Sequence, residues 1–395
     1  MPELVALLGP PGPEWVAELT RAWEAGDAVL PVDPRLPQPA RHRLIDAMSP
    51  TVLVDEAGEH HRRSQGLGTE AGDALVVATS GTTGEPKGVV LTMAAVEASA
   101  TATSTHLGID PSTHRWLACL PLSHVGGLSV VTRSLLTGTP VEVHPGFDPE
   151  AVTAAARRGA THVSLVPTAL ARIDPALFTC IVLGGSAPPP DRPANSVATY
   201  GMTETGSGVV YDGHPLPGVE VKVVDGQIHL RGPMLLRAYR DGTVPTDAEG
   251  WLATGDLGEL DPTTGRLTVH GRAGDLIITG GENVWPTPVE EVLVTHPGVG
   301  EVAVVGRPDR KWGQRVTALV VPTDPHRPPT LDELRGHAKE RLPAYAAPRE
   351  LVVVDELPRT ALGKVVRSGM LVGQSLADGR HDGGRSSRGT TNRRS

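Results

Sequence analysis

An apolar segment that leads directly into a glycine- and threonine-rich turn places the strongest restriction on the fold of this chain. Residues 74–77 (Ala-Leu-Val-Val) predict a buried strand, and residues 79–88 continue as Thr-Ser-Gly-Thr-Thr-Gly-Glu-Pro-Lys-Gly. Such a turn can wrap a polyphosphate, because its backbone N–H groups point inward and its lysine neutralises negative charge. Its spacing differs from that of a Walker A loop. The simpler alternative is a flexible turn that binds nothing.

Lysine is rare here, which makes each lysine informative. Of the 36 basic residues, five are lysines and 31 are arginines. In a chain that mostly uses arginine, a position that keeps lysine can be one that needs a compact ammonium group. Lys87 in the turn and Lys364 near the end of the chain fit that description.

Helix and strand signals alternate through the first third of the chain. Residues 15–23 share an apolar helical face that ends near Gly26, and residues 28–32 predict a short buried strand. A helix at 41–48 and a strand at 51–54 follow. This alternation predicts β-α-β units around a largely parallel sheet.

The pattern changes in the second half. After about residue 210 the predicted strands are shorter and partly antiparallel, and past residue 274 a compact α+β unit is predicted. Its helix from Leu331 has a capping box, Thr330 with Glu333. We therefore expect an α/β fold, with a large N-terminal domain (1–273) of parallel and mixed sheets with helices, a small C-terminal domain (274–372) and a disordered tail (373–395).

Charge and cysteine content exclude several classes of function. The formal net charge is -9, without the basic surplus of a nucleic-acid-binding protein. Cys119 and Cys180, the two cysteines, argue against a disulfide framework and a cysteine-rich zinc site, and favour buried thiols in a reducing compartment. No signal peptide is predicted, nor a run of about 20 apolar residues that could span a bilayer. The expected location is the cytoplasm.

Further motifs follow the 79–88 turn in a fixed order. They are residues 120–128 (Leu-Pro-Leu-Ser-His-Val-Gly-Gly-Leu), 183–187 (Leu-Gly-Gly-Ser-Ala), 200–205 (Tyr-Gly-Met-Thr-Glu-Thr), 250–258, 271–272, 280–284 and 358–364. Together with the turn, they make the chain resemble the adenylate-forming superfamily of acyl-CoA synthetases, peptide-synthetase adenylation domains and luciferases. The resemblance covers roughly residues 74–370. It implies ATP-dependent conversion of a carboxylate to an acyl-adenylate, which is then passed to a thiol.

The resemblance also implies which residues hold the nucleotide and its magnesium ion. Glu204 would hold Mg²⁺, and Thr203 would contact the α-phosphate; a hard carboxylate beside a phosphate-contacting hydroxyl is a sensible Mg²⁺ site. Tyr200 would stack on adenine, Asp256 would bind the ribose hydroxyls and Arg272 would also reach the nucleotide. The remaining nucleotide-binding residues implied are Thr79, Ser80, Gly81, Thr82, Thr83, Gly84, Lys87, Gly184, Gly185, Ser186, Gly201 and Met202.

Five positions are implied in catalysis and domain movement. Lys364 would bridge the carboxylate and the α-phosphate in the adenylation conformation only, and His124 would gate the path of the thiol. Gly280 and Gly281 would line that path after the C-terminal domain turns about Gly274. Many members have Asp or Lys at the hinge, so Gly274 departs from the common pattern, although glycine can absorb a large change in φ and ψ.

Residues 120–128 and their surroundings look most like the o-succinylbenzoate–CoA ligases of menaquinone biosynthesis. The shortened region ahead of residue 74 fits short forms of that enzyme, and no carrier domain is expected after residue 370, which favours coenzyme A as the acceptor. Such a substrate keeps a benzoate carboxylate, for which Arg133 is a candidate ligand; an arginine on a helix surface is the alternative. Another aryl- or fatty-acyl-CoA ligase, and a non-catalytic nucleotide-binding relative, stay open as functions. A homodimer stays open as the assembly.

Overall fold

A computed structural model describes residues 1–80, 86–189 and 191–358, together with residues 365 and 367. Its described residues form two compact units, the larger drawn from Met1–Leu276 and Trp285–Glu291, the smaller from Ile277–Val284 and Val292–Pro358. Along the chain, the larger unit is therefore first followed by the smaller one after Leu276, close to the domain boundary expected before Gly274. The functional division into domains 1–273 and 274–372 stays a prediction, and the tail 373–395 lies outside the described residues.

The larger unit begins with a sheet whose core is parallel. Its elements are β1 (Leu4–Leu7), α1 (Pro13–Glu24), β2 (Ala28–Pro31), α2 (Gln38–Met48), β3 (Val52–Val54), β4 (His60–Arg62), β5 (Asp73–Ser80) and β6 (Pro86–Thr92). Strands β5, β2, β1 and β3 are parallel neighbours in that order, while β4 and β6 add antiparallel edges. The β-α-β alternation of the sequence thus predicts the centre of this sheet correctly. On α1, the predicted apolar face is buried through Trp15, Leu19 and Ala22.

A second sheet follows and is again parallel at its centre. Its elements, with adjoining helices, are α3 (Met93–His106), β7 (Trp116–Ala118), α4 (Val125–Thr137), β8 (Val141–Val143), α5 (Pro149–Arg157), β9 (His162–Leu165), α6 (Pro167–Leu170), β10 (Cys180–Leu183), β11 (Ser196–Gly201), β12 (Gly208–Tyr211) and β13 (His214–Pro215). The strand order is β13-β12-β11-β10-β9-β7-β8. One hydrophobic core joins the sheets through α3 and α4, and contains Leu75, Val96, Trp116, Leu128 and Val131.

The last part of the larger unit is antiparallel, as its short strands predict. It contains β14 (Glu220–Val224), β15 (Gln227–Arg231), β16 (Ala238–Tyr239), β17 (Leu252–Leu260) and β18 (Leu267–Arg272). Strands β14, β15, β17 and β18 form a four-stranded sheet, whereas β16 pairs with β6 at the edge of the first sheet. Three short 3-10 turns complete the unit, at Pro175–Leu177, Thr203–Thr205 and Ala273–Asp275.

The smaller unit is a five-stranded sheet with helix α8. Its elements are β19 (Ile277–Thr279), β20 (Glu282–Val284), the end of α7 (Pro286–Leu293), β21 (Val299–Asp309), β22 (Gly313–Pro322), α8 (Leu331–Lys339) and β23 (Glu350–Val353). The predicted capping box of α8 is present, because Thr330 Oγ1 accepts from Glu333 N at 3.3 Å and Glu333 Oε2 accepts from Thr330 N at 2.7 Å. Helix α7 begins at Pro286, and both Pro286 and Pro288 fit the first turn of a helix.

Both cysteines are free thiols, as the sequence predicts. Cys119 is buried, and burial raises the pKa of its thiol to about 12. Cys180 is only partly buried, although a buried thiol was expected. Among the helices of the described chain, none is both long enough and apolar enough to cross a bilayer.

Candidate active site

Residues 200–205 leave the second sheet at the end of β11 and enter a 3-10 turn. The Thr205 hydroxyl fixes this turn, accepting from Met202 N at 2.9 Å and donating to Ser207 O at 2.7 Å. Gly201 lies so close to the next strand that a Cβ would approach Ser207 O to 2.2 Å, so a larger residue cannot fit without moving the backbone. The local sequence therefore holds Tyr200 and Glu204 in fixed positions on either side of the bend.

Three residues predicted to bind the nucleotide form one hydrogen-bonded group. The Tyr200 hydroxyl donates to Asp256 Oδ2 at 2.8 Å, and Arg272 Nε lies 2.8 Å from Asp256 Oδ1. Asp256 on β17 is directly opposite Arg272 on β18, which explains their contact. Burial, with the Asp256 carboxylate next, raises the pKa of Tyr200 above its usual value, so this phenol stays protonated and remains a donor.

The group has a buried carboxylate at its centre. Asp256 accepts from the Tyr200 hydroxyl and pairs with Arg272. A carboxylate is a strong acceptor, of the kind that can bind the hydroxyl groups of a ribose. The ring of Tyr200 lies at the same point, where an aromatic base could stack.

Glu204 lies on the 3-10 turn after Tyr200, and its side chain has a phenol as partner. Its Oε1 accepts from the Tyr239 hydroxyl at 3.0 Å, and its main-chain oxygen accepts from Leu236 N at 2.8 Å. The sequence analysis missed Tyr239. Its partner lies 35 residues away in the sequence, and no motif spans that interval; the only hint was that the chain has four tyrosines in total.

The Glu204 carboxylate suits a magnesium ion, since within the described part of the chain the Tyr239 hydroxyl is the donor to its side chain and most of its acceptor positions have no protein donor there. Among the described residues there is no cluster of three or more His, Cys, Asp or Glu side chains that could hold a metal ion. A magnesium ion here would therefore take phosphate oxygens as further ligands, which is its usual behaviour at nucleotide sites.

The glycine- and threonine-rich turn connects two paired strands. Thr79 lies opposite Lys87 in the β5–β6 ladder, with the Thr79 hydroxyl 3.4 Å from Lys87 O. The Lys87 ammonium is exposed and lies 5.3 Å from the centre of the Tyr239 ring. The structure does not describe the side chain of Ser80 or the residues Gly81, Thr82, Thr83 and Gly84, which are also predicted to bind the nucleotide.

The loop at 183–187 follows β10, beside the strand that carries Tyr200. Strands β10 and β11 are parallel, so their carboxyl ends meet at one edge of the sheet, where α/β folds ordinarily bind ligands. The Thr199 hydroxyl donates to Leu183 O at 3.0 Å. Gly185 has a φ of +83°, and a Cβ on Gly184 would lie 3.0 Å from the Thr199 hydroxyl, so both positions favour glycine. Ser186 is exposed on this loop.

The 120–128 segment positions His124 just before α4. His124 is the residue that precedes the first turn of the helix and is partly buried. Burial is the main cause that lowers the pKa of its imidazole below 6.5, while Asp33 acts in the opposite direction. The ring is therefore mainly neutral at pH 7. Gly127 is required here, because a Cβ would approach Leu120 O to 2.4 Å.

Arg133 lies inside the protein, so the alternative of a helix-surface arginine is wrong. The residue is 3% exposed, its Nη2 donates to Ser129 Oγ at 2.9 Å, and its guanidinium lies 4.9 Å from the centre of the Trp116 ring. For Nε and Nη1 the described residues provide no hydrogen-bond acceptor. A cavity of about 10 Å³, bordered by Arg133, Ser129 and Gly206, has room for roughly one water molecule.

The residues predicted to act in domain movement and catalysis are described by their own local structure. Gly280 and Gly281 form the β19–β20 turn of the smaller unit, with φ of +63° and +87° that favour glycine. A Cβ on Gly280 would also meet Trp312 Cε3 at 2.8 Å. Gly274 lies in the 3-10 turn Ala273–Asp275. Lys364 lies outside the described residues.

The amino-acid sequence of the chain is similar to those of known enzymes. The family model "AMP-binding enzyme" matches residues 68–240, and the model "AMP-binding enzyme C-terminal domain" matches residues 288–364. A Mycobacterium tuberculosis (strain H37Rv) protein named "Probable 2-succinylbenzoate--CoA ligase" is 43% identical over 361 residues, which cover 84% of this chain and 94% of that protein. The chain belongs to the 2-succinylbenzoate–CoA ligase family of AMP-binding enzymes. Membership confirms the predicted superfamily and the enzyme class, an AMP-forming acid–thiol ligase.

Solved structures of the family confirm the fold. The o-succinylbenzoate CoA synthetase (MenE) from Bacillus subtilis, in complex with the acyl-adenylate intermediate OSB-AMP, has a TM-score of 0.82 at 31% identity, covering 96% of this chain and 88% of that chain. The same enzyme in complex with ATP and magnesium ion has a TM-score of 0.80 at 31% identity, covering 93% and 88%. The predicted α/β fold, with a large N-terminal and a small C-terminal domain, is therefore correct.

Proposed function

We propose that this chain joins o-succinylbenzoate to coenzyme A, with ATP converted to AMP and diphosphate, as a step of menaquinone biosynthesis. The observation that carries the proposal is the hydrogen-bonded group of Tyr200, Asp256 and Arg272, with Glu204 on the following turn. It supports nucleotide binding in a chain whose relatives are named 2-succinylbenzoate–CoA ligases. Free cysteines fit a cytoplasmic location.

In the first half-reaction a substrate carboxylate oxygen attacks the α-phosphorus of ATP, and the bond to the β-phosphate oxygen breaks to release diphosphate. Asp256 accepts hydrogen bonds from the ribose hydroxyls, and the Tyr200 ring supports the base. The Thr203 hydroxyl and the Lys364 ammonium contact the α-phosphate and the attacking carboxylate, where negative charges must come together. Glu204 would hold a magnesium ion, which would supply positive charge to neutralise part of the phosphate charge.

In the second half-reaction the thiolate of coenzyme A attacks the acyl carbon, and AMP leaves with the bonding electrons. The C-terminal domain turns about Gly274 between the two steps, which replaces Lys364 at the site by the Gly280–Gly281 turn. His124 gates the path of the thiol. Because its pKa is lowered by burial, the imidazole adds little positive charge near the acyl group at pH 7.

Arg133 is the proposed partner of the benzoate carboxylate that stays free during the reaction. A buried guanidinium without a carboxylate partner is costly, unless a ligand supplies the counter-charge. The Trp116 ring offers the guanidinium a cation–π contact without neutralising it. The cavity beside Arg133 is too small for a carboxylate, so the contact needs either a bridging water or a small movement of side chains.

Acid-dependent exchange of labelled diphosphate into ATP tests the substrate. We expect strong exchange with o-succinylbenzoate, and weak exchange with benzoate and with a medium-chain fatty acid. Strong exchange with one of the other acids alone would replace o-succinylbenzoate by the corresponding aryl- or fatty-acyl substrate. Absence of exchange with all three acids, in protein that binds ATP, would support the non-catalytic alternative.

A further inference from the structure

Tyr239 lies on a strand whose position is fixed by the strand that leaves the glycine- and threonine-rich turn. In the β16–β6 pair, Ala238 is opposite Val90 and Tyr239 is opposite Val89. Main-chain bonds extend the pairing on both sides, from Arg237 N to Val90 O at 2.9 Å and from Arg240 N to Gly88 O at 2.7 Å. Tyr239 therefore keeps a fixed distance from the end of the turn.

The two arginines that flank this strand anchor it to neighbouring parts of the larger unit. Arg237 forms two parallel bonds with Asp73, each 2.9 Å long, and such bidentate pairs are strong and specific in geometry. Arg240 donates to the main-chain oxygens of Gly68 at 2.8 Å and Met48 at 3.1 Å. Both arginines belong to the segment 237–240, so the strand is held at each end.

From this anchored strand, Tyr239 contacts two groups of the active site. Its hydroxyl donates to Glu204 Oε1 at 3.0 Å, and its ring lies 5.3 Å from the Lys87 ammonium. The neighbouring Leu236 N also binds Glu204 O at 2.8 Å. The turn that carries Glu204 is thus tied to the segment both through its main chain and through its side chain.

We propose that Tyr239 is a positioning residue, which holds the Glu204 carboxylate in the orientation that binds the divalent metal ion. The inference rests on the proposed role of Glu204 as the metal-binding carboxylate. A free glutamate side chain would lose rotamer entropy when a metal ion binds, and the Tyr239 hydroxyl removes most of that loss in advance.

Tyr239→Phe removes only the hydroxyl, and keeps the ring beside Lys87 and the pairing with β6. Manganese can replace magnesium as a paramagnetic probe, so EPR titration of the full-length protein saturated with ATP gives the affinity for the metal directly. We expect about 10-fold weaker Mn²⁺ binding, the usual effect of losing a hydrogen bond to a metal-binding carboxylate. Unchanged Mn²⁺ affinity would overturn the inference.

Tyr211→Phe is the matched control, because the Tyr211 hydroxyl forms a 3.2 Å hydrogen bond with Thr103 in the same unit. This variant should bind Mn²⁺ like the parent protein; an equal loss in both variants would mean a general structural effect and overturn the inference. A double mutant with Glu204→Gln separates the roles further. If Tyr239 acts through Glu204, adding Tyr239→Phe to Glu204→Gln costs no further Mn²⁺ affinity, whereas independent losses contradict the inference.

The EPR titration contains no acyl substrate, so its result is separate from the identity of the acid. A parent protein that binds Mn²⁺ and ATP but shows no o-succinylbenzoate-dependent exchange would refute the proposed substrate alone. A parent protein whose Mn²⁺ affinity is unaffected by Glu204→Gln would refute the metal-binding role of Glu204, and the inference with it.

Discussion

The guanidinium of Arg133 lies 4.9 Å from the centre of the Trp116 ring. A buried arginine ordinarily pairs with a carboxylate, whereas here the guanidinium contacts an aromatic ring. The Trp116 ring lies 5.2 Å from the ring of His162, which is itself buried. Burial, followed by the nearby His114, lowers the pKa of His162 to about 4. His162 is therefore neutral at pH 7 and brings no second positive charge to this group.

Replacement of Arg133 by Met should separate activity from stability. Loss of the cation should cost about 3 kcal/mol of transition-state binding with o-succinylbenzoate, a roughly 100-fold fall in kcat/KM. Stability to urea should stay equal or rise, because a buried charge that has no carboxylate partner among the described residues is replaced by an apolar side chain of similar volume. Steady-state kinetics with o-succinylbenzoate and benzoate measure the effect; an equal fall with both acids would rule out recognition of the second carboxylate.

Asp256→Asn should weaken ATP binding if Asp256 binds the ribose, since the amide has one acceptor oxygen in place of two, carries no charge and loses the ion pair with Arg272. We expect at least a 10-fold rise in the Kd of ATP, corresponding to about 1.4 kcal/mol. Isothermal titration calorimetry measures it. Glu220→Gln on β14 is the control, because that exposed carboxylate also pairs with an arginine, Arg231, on the same sheet. Equal losses in the two variants would contradict a ribose-binding role for Asp256.

Stability should depend on pH through His162. Its pKa is lowered from 6.5 to about 4 in the folded protein, so protonation favours the unfolded chain. The neutral ring makes its full contribution to the free energy of unfolding above pH 6.5. That contribution, up to roughly 3 kcal/mol, is lost as the pH falls toward 4. Urea unfolding of the parent protein and of His162→Phe at several pH values measures how the free energy of unfolding changes with pH. If this free energy changed with pH equally in both proteins, His162 would not be the cause of the change.

The two half-reactions should respond to different substitutions. Lys364→Ala should abolish formation of the acyl-adenylate but largely spare thioester formation from acyl-adenylate supplied ready-made. Gly274→Pro should do the reverse, because proline fixes φ where a hinge must change it. Gly274→Ala is its control, since a Cβ at Gly274 meets no atom within 4 Å. Equal loss of both half-reactions in Lys364→Ala would refute the hinge.

Colinear motifs singled out three residues that the structure brings together, although their role in nucleotide binding stays a prediction. Asp256 and Arg272 lie opposite each other in the β17–β18 ladder, and Tyr200 near the end of β11 reaches Asp256 through its hydroxyl. The apolar strand β5 was likewise recognisable from the sequence, as was the glycine- and threonine-rich segment 79–88 that begins at its end. Strand periodicity and glycine content are local signals.

Two features could not be predicted in the same way. The contact of Tyr239 with Glu204 depends on the antiparallel pairing of β16 with β6, which no local pattern specifies. The burial of Arg133 did leave a signal. Arg133 is the only charged residue of α4, Val125–Thr137, and a helix that is apolar on nearly all sides is ordinarily buried. The contact with Trp116 comes from tertiary packing of α4 on β7.

Detection of the two products in sequence tests the central claim most directly. The protein is mixed with o-succinylbenzoate and α-labelled ATP without coenzyme A, and coenzyme A is added after the first turnover. We expect enzyme-bound o-succinylbenzoyl-AMP at up to one equivalent, followed on addition of coenzyme A by release of AMP and o-succinylbenzoyl-CoA in equal amounts. Release of AMP that does not depend on o-succinylbenzoate, or an acyl-adenylate that coenzyme A does not consume, would contradict it.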